Sequence, residues 1–280
     1  MIDDTRMPKL SIIIVNYKTP ALLKNCISAL KKTVLTTAYE IIAVDSESDG
    51  ETPRMLAEEF PDVLCIVFRE NSGYAKAVNA GIARAQGEYF LVLNTDIIAT
   101  EYAIDTMVAY MEAEGKSERV GMLGPKLYGF ENEYQRSAFR FPSPFTIILR
   151  RTPLGALALF QSRLDAFLLA DKKLEDALAP VRVDWLMGAA LLVSREAVAR
   201  VGAMDESFFM YFEDVDWARR FWENGYAVMY HPLVRMYHYH QRTSHRYGVF
   251  DAVLNAMARV HIQSALHYFL KHGIRTKSYV

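Results

Sequence analysis

Residues 10–16 read Leu10-Ser-Ile-Ile-Ile-Val15-Asn16. A near-continuous apolar run rich in β-branched residues and closed by a polar Asn suits a strand buried on both faces. Working outward, Pro20 opens a helical period through Leu22, Leu23, Ile27 and Leu30. Glu40–Val44 predicts a second buried strand, ending at Asp45-Ser46-Glu47-Ser48-Asp49-Gly50. Thr52–Phe60 predicts a helix, Val63–Phe68 a third strand, and Gly73–Gln86 a helix lined with alanines. Tyr89–Leu93 predicts a fourth strand, running into Asn94-Thr95-Asp96. This alternation of strand and helix implies an α/β chain with a parallel, doubly wound sheet. Such sheets bind ligands beyond the carboxyl ends of their strands. Asn16, Asp45, Asn71 and Asp96 all fall there.

After Ile98 the alternation weakens. Tyr102–Glu114 predicts a helix and Val120–Tyr128 a strand. Residues 143–180 are an apolar, basic insert punctuated by prolines, expected to be helical. Val183–Ser194 predicts one further strand, followed by a helix from Arg195. Glu213–Asn224 predicts a helix closed by Gly225. Tyr226–Tyr230 and Val234–His238 predict two short strands. Phe250–Lys271 predicts a long amphipathic helix with Asp251, Asn255, Arg259, Gln263, His267 and Lys271 along one face.

Composition narrows the function. Of 280 residues, 51% are hydrophobic and 23% charged, which excludes a disordered or fibrous chain. A net charge of −1 gives no reason to expect a nucleic-acid partner. Cys26 and Cys65 form no CxxC, so two free thiols are expected rather than a disulfide framework or a zinc site. No GxGxxG follows the first strand and no GxxxxGK[ST] occurs anywhere, which argues against a nicotinamide dehydrogenase or a P-loop kinase. No stretch approaches the roughly 20 apolar residues of a membrane span. The expectation is a cytoplasmic chain, or one peripheral to the inner face of the cell membrane.

The acids and histidines carry the chemistry. Asp45, at a strand end, is placed to accept a hydrogen bond from a nucleobase N–H or a ribose hydroxyl, or to shape a turn. Asp96 suits a hard divalent cation that takes one or two carboxylates with phosphate oxygens, or again a turn. Glu213-Asp214-Val215-Asp216-Trp217 places three acids at a helix start, where the dipole favours them. The preceding Phe208-Phe209-Met210-Tyr211-Phe212 makes desolvation, and hence a basic carboxylate, a second reading. His238 and His240 stand near Arg242, Thr243, Ser244, His245 and Arg246. That cluster is a candidate pyrophosphate or metal site, or a satisfied structural cluster. His261, His267 and His272 read as structural.

In this order the motifs resemble the family-2 glycosyltransferases of the GT-A fold, and more closely their rhamnosyltransferase branch. The matching text is Ser11-Ile-Ile-Ile-Val-Asn16-Tyr17, Val44-Asp45 with its acidic loop, and Asn71-Ser-Gly73-Tyr74-Ala-Lys76-Ala-Val-Asn79. It continues through Leu93-Asn94-Thr95-Asp96, Trp185-Leu-Met-Gly188-Ala-Ala190, Phe212-Glu213-Asp214-Val-Asp216, and His238. The resemblance implies a nucleotide-binding, mostly parallel sheet flanked by helices, a C-terminal acceptor-side half and a terminal amphipathic helix. Residues 1–100 would form the nucleotide-sugar half, 101–248 the acceptor and catalytic half, and 249–280 the terminal helix. It further implies inverting transfer from a nucleoside diphosphate sugar, dTDP-L-rhamnose in this branch. Asp45 would hold the base, with Asn16 and Tyr17 lining the nucleotide. Asn71, Lys76 and Asn79 would line the nucleotide and diphosphate region. Asp96 and His238 would hold Mg²⁺ or Mn²⁺. Trp185, Gly188 and Glu213 would shape the sugar and acceptor pocket, and Asp214 would be the general base. The chain departs from the family's Asp-x-Asp metal motif with Asn94-Thr95-Asp96, which weakens the expectation of metal dependence.

The implied acceptor is a hydroxyl of a glycan or a lipid-linked glycan in bacterial surface polysaccharide synthesis. The stretch Ile147–Phe167 and the terminal helix are candidates for a membrane surface, for core packing, or for a homodimer interface. Alternative readings are a UDP-hexose-dependent member of the same family, a nucleotidyltransferase, and a non-catalytic sugar-nucleotide-binding subunit. A nucleotidyltransferase would need a basic Gly-rich loop for a triphosphate, which the sequence lacks.

Overall fold

The computed structural model describes residues 7–239, 256–275 and 277–280. His240, Arg242, Thr243, Ser244, His245 and Arg246, and the start of the expected terminal helix from Phe250 to Asn255, lie outside the described residues.

The first hundred residues follow the expected alternation. They form β1 (Leu10–Tyr17), α1 (Pro20–Thr33), β2 (Tyr39–Ser46), α2 (Glu51–Glu59), β3 (Leu64–Val67), α3 (Tyr74–Arg84), β4 (Tyr89–Asn94) and a short β5 (Ile97–Ala99). The chain continues through α4 (Ala103–Ala113), β6 (Val120–Tyr128), β7 (Tyr134–Gln135) and β8 (Ala138–Phe139). The insert supplies α5 (Pro144–Arg151) and α6 (Ala158–Phe167). Then come β9 (Val181–Arg182), β10 (Trp185–Leu186), β11 (Ala190–Ser194), α7 (Arg195–Val201), α8 (Glu213–Glu223), β12 (Ala227–His238) and α9 (Ala256–His272).

The main sheet runs β3-β2-β1-β4-β11-β6-β12-β5, with β7 on β6 and β9 on β12. Strands β3, β2, β1 and β4 are parallel, and so are β6 and β12. Strand β11 runs antiparallel to both β4 and β6, which makes the sheet mixed rather than wholly parallel. An apolar strand buried on both faces reads alike in either direction, so the sequence carries no sign of this reversal. Alternate residues of β1 serve opposite faces. Ile12 and Ile14 pack with Leu23, Ile27 and Met107 under α1 and α4. Ile13 packs with Val78, Val198 and Phe221 under α3, α7 and α8.

Three expectations are corrected. Val183–Ser194 is not one strand: Trp185–Leu186 leaves the main sheet to pair with β8, and only Ala190–Ser194 pairs with β4. Tyr226–Tyr230 and Val234–His238 are one strand, β12, with an irregularity between His231 and Arg235. Pro232 sits in that gap and has no N–H to give the ladder. In α9 the buried side is His261, Ser264, Ala265, Tyr268 and His272, while Leu266 and Leu270 are exposed. The polar rhythm therefore shares its face with apolar residues.

Candidate active site

Register places the first cluster. Asn16 on β1 stands opposite Asp45 on β2, and the Asn16 amide donates to Asp45 Oδ1 at 2.7 Å and to Thr52 Oγ1 at 3.1 Å. Thr19 Oγ1 donates to Asn16 Oδ1 and lies 3.1 Å from Thr95 Oγ1. Both acceptor and donor ends of Asn16 are thereby engaged. Asp45 is 2% exposed, and its Oδ2 has no partner among the described residues. A buried carboxylate oxygen left with open lone pairs is a recognition point for an N–H or O–H of a ligand. Tyr17 is half-exposed and donates to Glu47 Oε2 at the mouth of this cluster.

A second cluster ties the two halves together. Asn71 Oδ1 accepts from Gly73 N at 3.1 Å, turning the chain into α3. Gly73 has φ +78°, and a Cβ there would lie 2.7 Å from the Phe209 carbonyl oxygen. Tyr74 N donates to that same oxygen at 2.8 Å. The Tyr74 hydroxyl donates to Gly188 O at 2.8 Å, and Gly188 N donates to Asp214 Oδ2 at 2.9 Å. Asp214 Oδ1 accepts from Val215 N at 2.8 Å. One main-chain unit at Gly188 thus links α3 to an acid at the head of α8.

The segment Phe208–Phe212 reaches α8 through Tyr211 and Phe212 at φ +68° and +69°. Two successive non-glycine residues in the left-handed region store strain of order 1–3 kcal/mol each. Ring packing of Phe212 on Tyr268 and His261 holds them there. Burial pushes the Asp214 carboxyl up to about 6, opposed by the N–H groups of Gly188 and Val215. Glu213 is 6% exposed with Oε2 unpartnered, and burial first, then the charge of Asp214, raises its pKa well above the ordinary range. Burial thus biases both acids toward protonation, and the N–H groups of Gly188 and Val215 favour the ionised form of Asp214.

Asp96 follows β4, whose Asn94 N donates to Ala189 O at 3.0 Å. Strand β12 delivers His238: Tyr239 N donates to Asp96 O at 2.9 Å, and His238 Nε2 lies 3.5 Å from Asp96 Oδ1. His238 Nδ1 meets Gln135 Oε1 at 2.9 Å. A proton on Nδ1 leaves Nε2 as a lone-pair donor aimed with Asp96, the usual arrangement around a metal-binding imidazole. Among the described residues no third His, Cys, Asp or Glu joins them. Two protein donors fit a hard divalent cation that takes its other ligands from phosphate and water. Gln135 lies on a two-residue strand and had no signal in the sequence.

The other expected residues sit as follows. Trp185 is half-buried, stacked on Phe139 at 4.7 Å, with its indole N–H donating to Arg140 O. Lys76 is exposed on α3. Asn79 is not open toward a ligand. Its amide donates to Met204 O and Glu206 Oε1, and its Oδ1 accepts from Met204 N. It clamps the loop that leads toward Phe208.

The family model described as Glycosyl transferase family 2 matches residues 11–161. An N-acetylglucosaminyl-diphospho-decaprenol L-rhamnosyltransferase of Mycobacterium tuberculosis is 29% identical over 250 residues, 85% of this chain and 78% of the relative. The low-salt glycan biosynthesis hexosyltransferase Agl10 of Haloferax volcanii is 26% identical over 78% of this chain and 63% of its own. Among solved structures, the mannosyltransferase PcManGT from Pyrobaculum calidifontis, in complex with GDP-Man and Mn²⁺, superposes with TM-score 0.60 at 20% identity, over 99% of this chain and 67% of that one. GalNAc-T7 with UDP, GalNAc and Mn²⁺ superposes with TM-score 0.61 at 16% identity, over 85% of this chain and 45% of that one. These matches agree with the mixed sheet, its strand order and the acids at its strand ends: the chain belongs to glycosyl transferase family 2, has the GT-A fold, and is a glycosyltransferase.

Proposed function

We propose that this enzyme moves L-rhamnose from dTDP-L-rhamnose to a hydroxyl of a lipid-linked glycan, with inversion, in bacterial surface polysaccharide synthesis. The observation that carries the mechanism is Asp214. It is an ionised, partly desolvated carboxylate held by two main-chain N–H groups at the head of α8. Asp214 takes the proton of the acceptor hydroxyl as its oxygen forms the bond to the anomeric carbon. The bond from that carbon to the diphosphate breaks, and dTDP leaves. One carboxylate suffices for such a single displacement, whereas retention by double displacement would need a second as nucleophile.

In this reading residues 1–100 are the donor half, 101–248 the acceptor half and 249–280 the terminal helix. Asp45 Oδ2 accepts from the thymine N–H, and Asn16 fixes the carboxylate. Tyr17, Asn71 and Lys76 border the nucleotide, and Trp185, Gly188 and Glu213 shape the sugar and acceptor pocket. Asp96 and His238 are the groups that would hold Mg²⁺ or Mn²⁺, which when bound neutralises charge on the departing diphosphate. The similarity to the mycobacterial N-acetylglucosaminyl-diphospho-decaprenol L-rhamnosyltransferase supports both a rhamnosyl donor and a polyprenyl-linked acceptor. A cytoplasmic enzyme in peripheral contact with the membrane fits such an acceptor.

Calorimetric titration of dTDP-rhamnose, UDP-glucose, UDP-N-acetylglucosamine and GDP-mannose, with and without Mn²⁺, tests the donor. Selective dTDP-rhamnose binding is expected, weakened at least tenfold in Asp45→Ala by the lost charged acceptor. Selective binding of a UDP or GDP sugar would overturn the donor, and binding of none would favour a non-catalytic subunit.

A further inference from the structure

Two helical segments carry exposed aliphatic side chains that no core claims. In the insert these are Leu157 and Leu159, the latter 78% exposed. On α9 they are Ile262, Leu266 and Leu270, the last 85% exposed. Ile262, Leu266 and Leu270 recur every four residues and form one ridge, opposite the buried Ser264, Ala265 and Tyr268.

Charge says what covers this surface. The chain as a whole is near neutral, with 33 acids against 32 bases. Residues 143–163 nevertheless contain three arginines and no acid, and residues 256–280 contain four Lys or Arg and no acid. Arg150, Arg151 and Arg163 are exposed, and among the described residues none pairs with a carboxylate. On α9 Lys271 is paired with Asp205 and Asp216, so the free positive charge is that of the three insert arginines. Aliphatic side chains beside these arginines match the interfacial zone of an anionic bilayer, where apolar groups enter the acyl boundary and cations meet the headgroups. A second copy of the chain would bring the same positive charge and repel.

The two segments also adjoin one another. Arg151 and Arg150 act electrostatically on His261 of α9, and Arg151 on Tyr211. Tyr211 rests on His261 with ring centroids 5.0 Å apart and lies three residues before Asp214. The basic, apolar surface therefore borders the loop that presents the base.

We propose that the insert around Leu157–Leu159 and the outer ridge of α9 form a docking surface for an anionic lipid bilayer, setting the acceptor side of the cleft against the membrane. This deepens the lipid-linked acceptor reading and rests on it for its purpose, although its test does not need that reading.

The test is flotation of the full chain with vesicles of phosphatidylcholine alone and of phosphatidylcholine mixed equally with phosphatidylglycerol, at low and high salt. Wild type is expected to float with the anionic vesicles and to lose most of that binding in high salt. L157E/L159E and L266E/L270E are each expected to lower partitioning at least tenfold, with unchanged melting temperature and unchanged donor affinity by calorimetry. Wild type left at the bottom with anionic vesicles, or either double variant floating like wild type, would overturn the proposal. So would a dimer in light scattering that the variants split, since a second copy would then own the surface. Failure of the donor titration leaves these readouts untouched, so the two proposals fall separately.

Discussion

At the scale of single residues, the site turns on two neighbouring acids that burial pushes toward protonation and that the main chain treats differently. Glu213 is the more deeply buried, and Asp214 keeps two N–H donors that favour its charge. A base must be ionised to accept a proton, and Asp214 ionises above about 6. Activity should therefore rise with pH: kcat/KM climbs about tenfold per pH unit below 6 and levels above it. A rate profile from pH 4.5 to 8.5 checks this, and a flat profile through pH 6 would separate Asp214 from proton transfer. Asp45 and Asp96 were legible as candidates because each closes an apolar strand. The Asp45 orphan oxygen was not, since it depends on Asn16 choosing Oδ1 across the sheet. The contacts of Asn79 with Met204 and Glu206 were not legible for a related reason: its motif position says nothing of which loop its amide will find.

At the scale of elements, α8 and α9 are locked by one carboxylate. Asp216 is fully buried and meets Arg220 Nε at 2.8 Å, Lys271 Nζ at 2.8 Å and His272 Nε2 at 2.7 Å. Burial alone would raise its pKa, but the hydrogen bond from His272, the charge of Arg220 and the hydrogen bonds from Lys271 and Arg220 hold it below the ordinary 3.8. Its contribution is thus full above 3.8 and fades as pH falls through the lower folded value. Asp216→Asn leaves the largely buried Arg220 without its carboxylate and should destabilise by about 3 kcal/mol at pH 7. Urea unfolding should show that gap at pH 7 and a smaller one near pH 3. Equal stability at pH 7 would mean that the other contacts of α9, among them Tyr268 on Phe212, Arg219 on the His272 carbonyl and Lys271 on Asp205, hold it without Asp216. The first four strands and the three helices between them were legible because apolar runs and helical periods alternate cleanly there. The split of residues 183–194 was not, because Trp185 and Leu186 are as apolar as a main-sheet strand and only their partner, Phe139, draws them away.

At the scale of the whole molecule, the fold brings two remote halves to one cleft. Asn94 N donates to Ala189 O and the Tyr74 hydroxyl to Gly188 O, so β4 and α3 meet the same main-chain segment of the later half. The reversed strand β11 is what carries Gly188 there, a topological fact that local patterns do not encode. Among the described residues no helix is long and apolar enough to cross a membrane. The central claim is that Asp214 performs the proton transfer in this shared cleft without holding the donor. Turnover of dTDP-rhamnose by wild type and by Asp214→Asn, beside donor affinity for each, tests it most directly. The account expects kcat to fall 10²–10⁴-fold with the donor Kd unchanged. An Asp214→Asn enzyme within tenfold of wild type, or one that has lost donor binding, would contradict it.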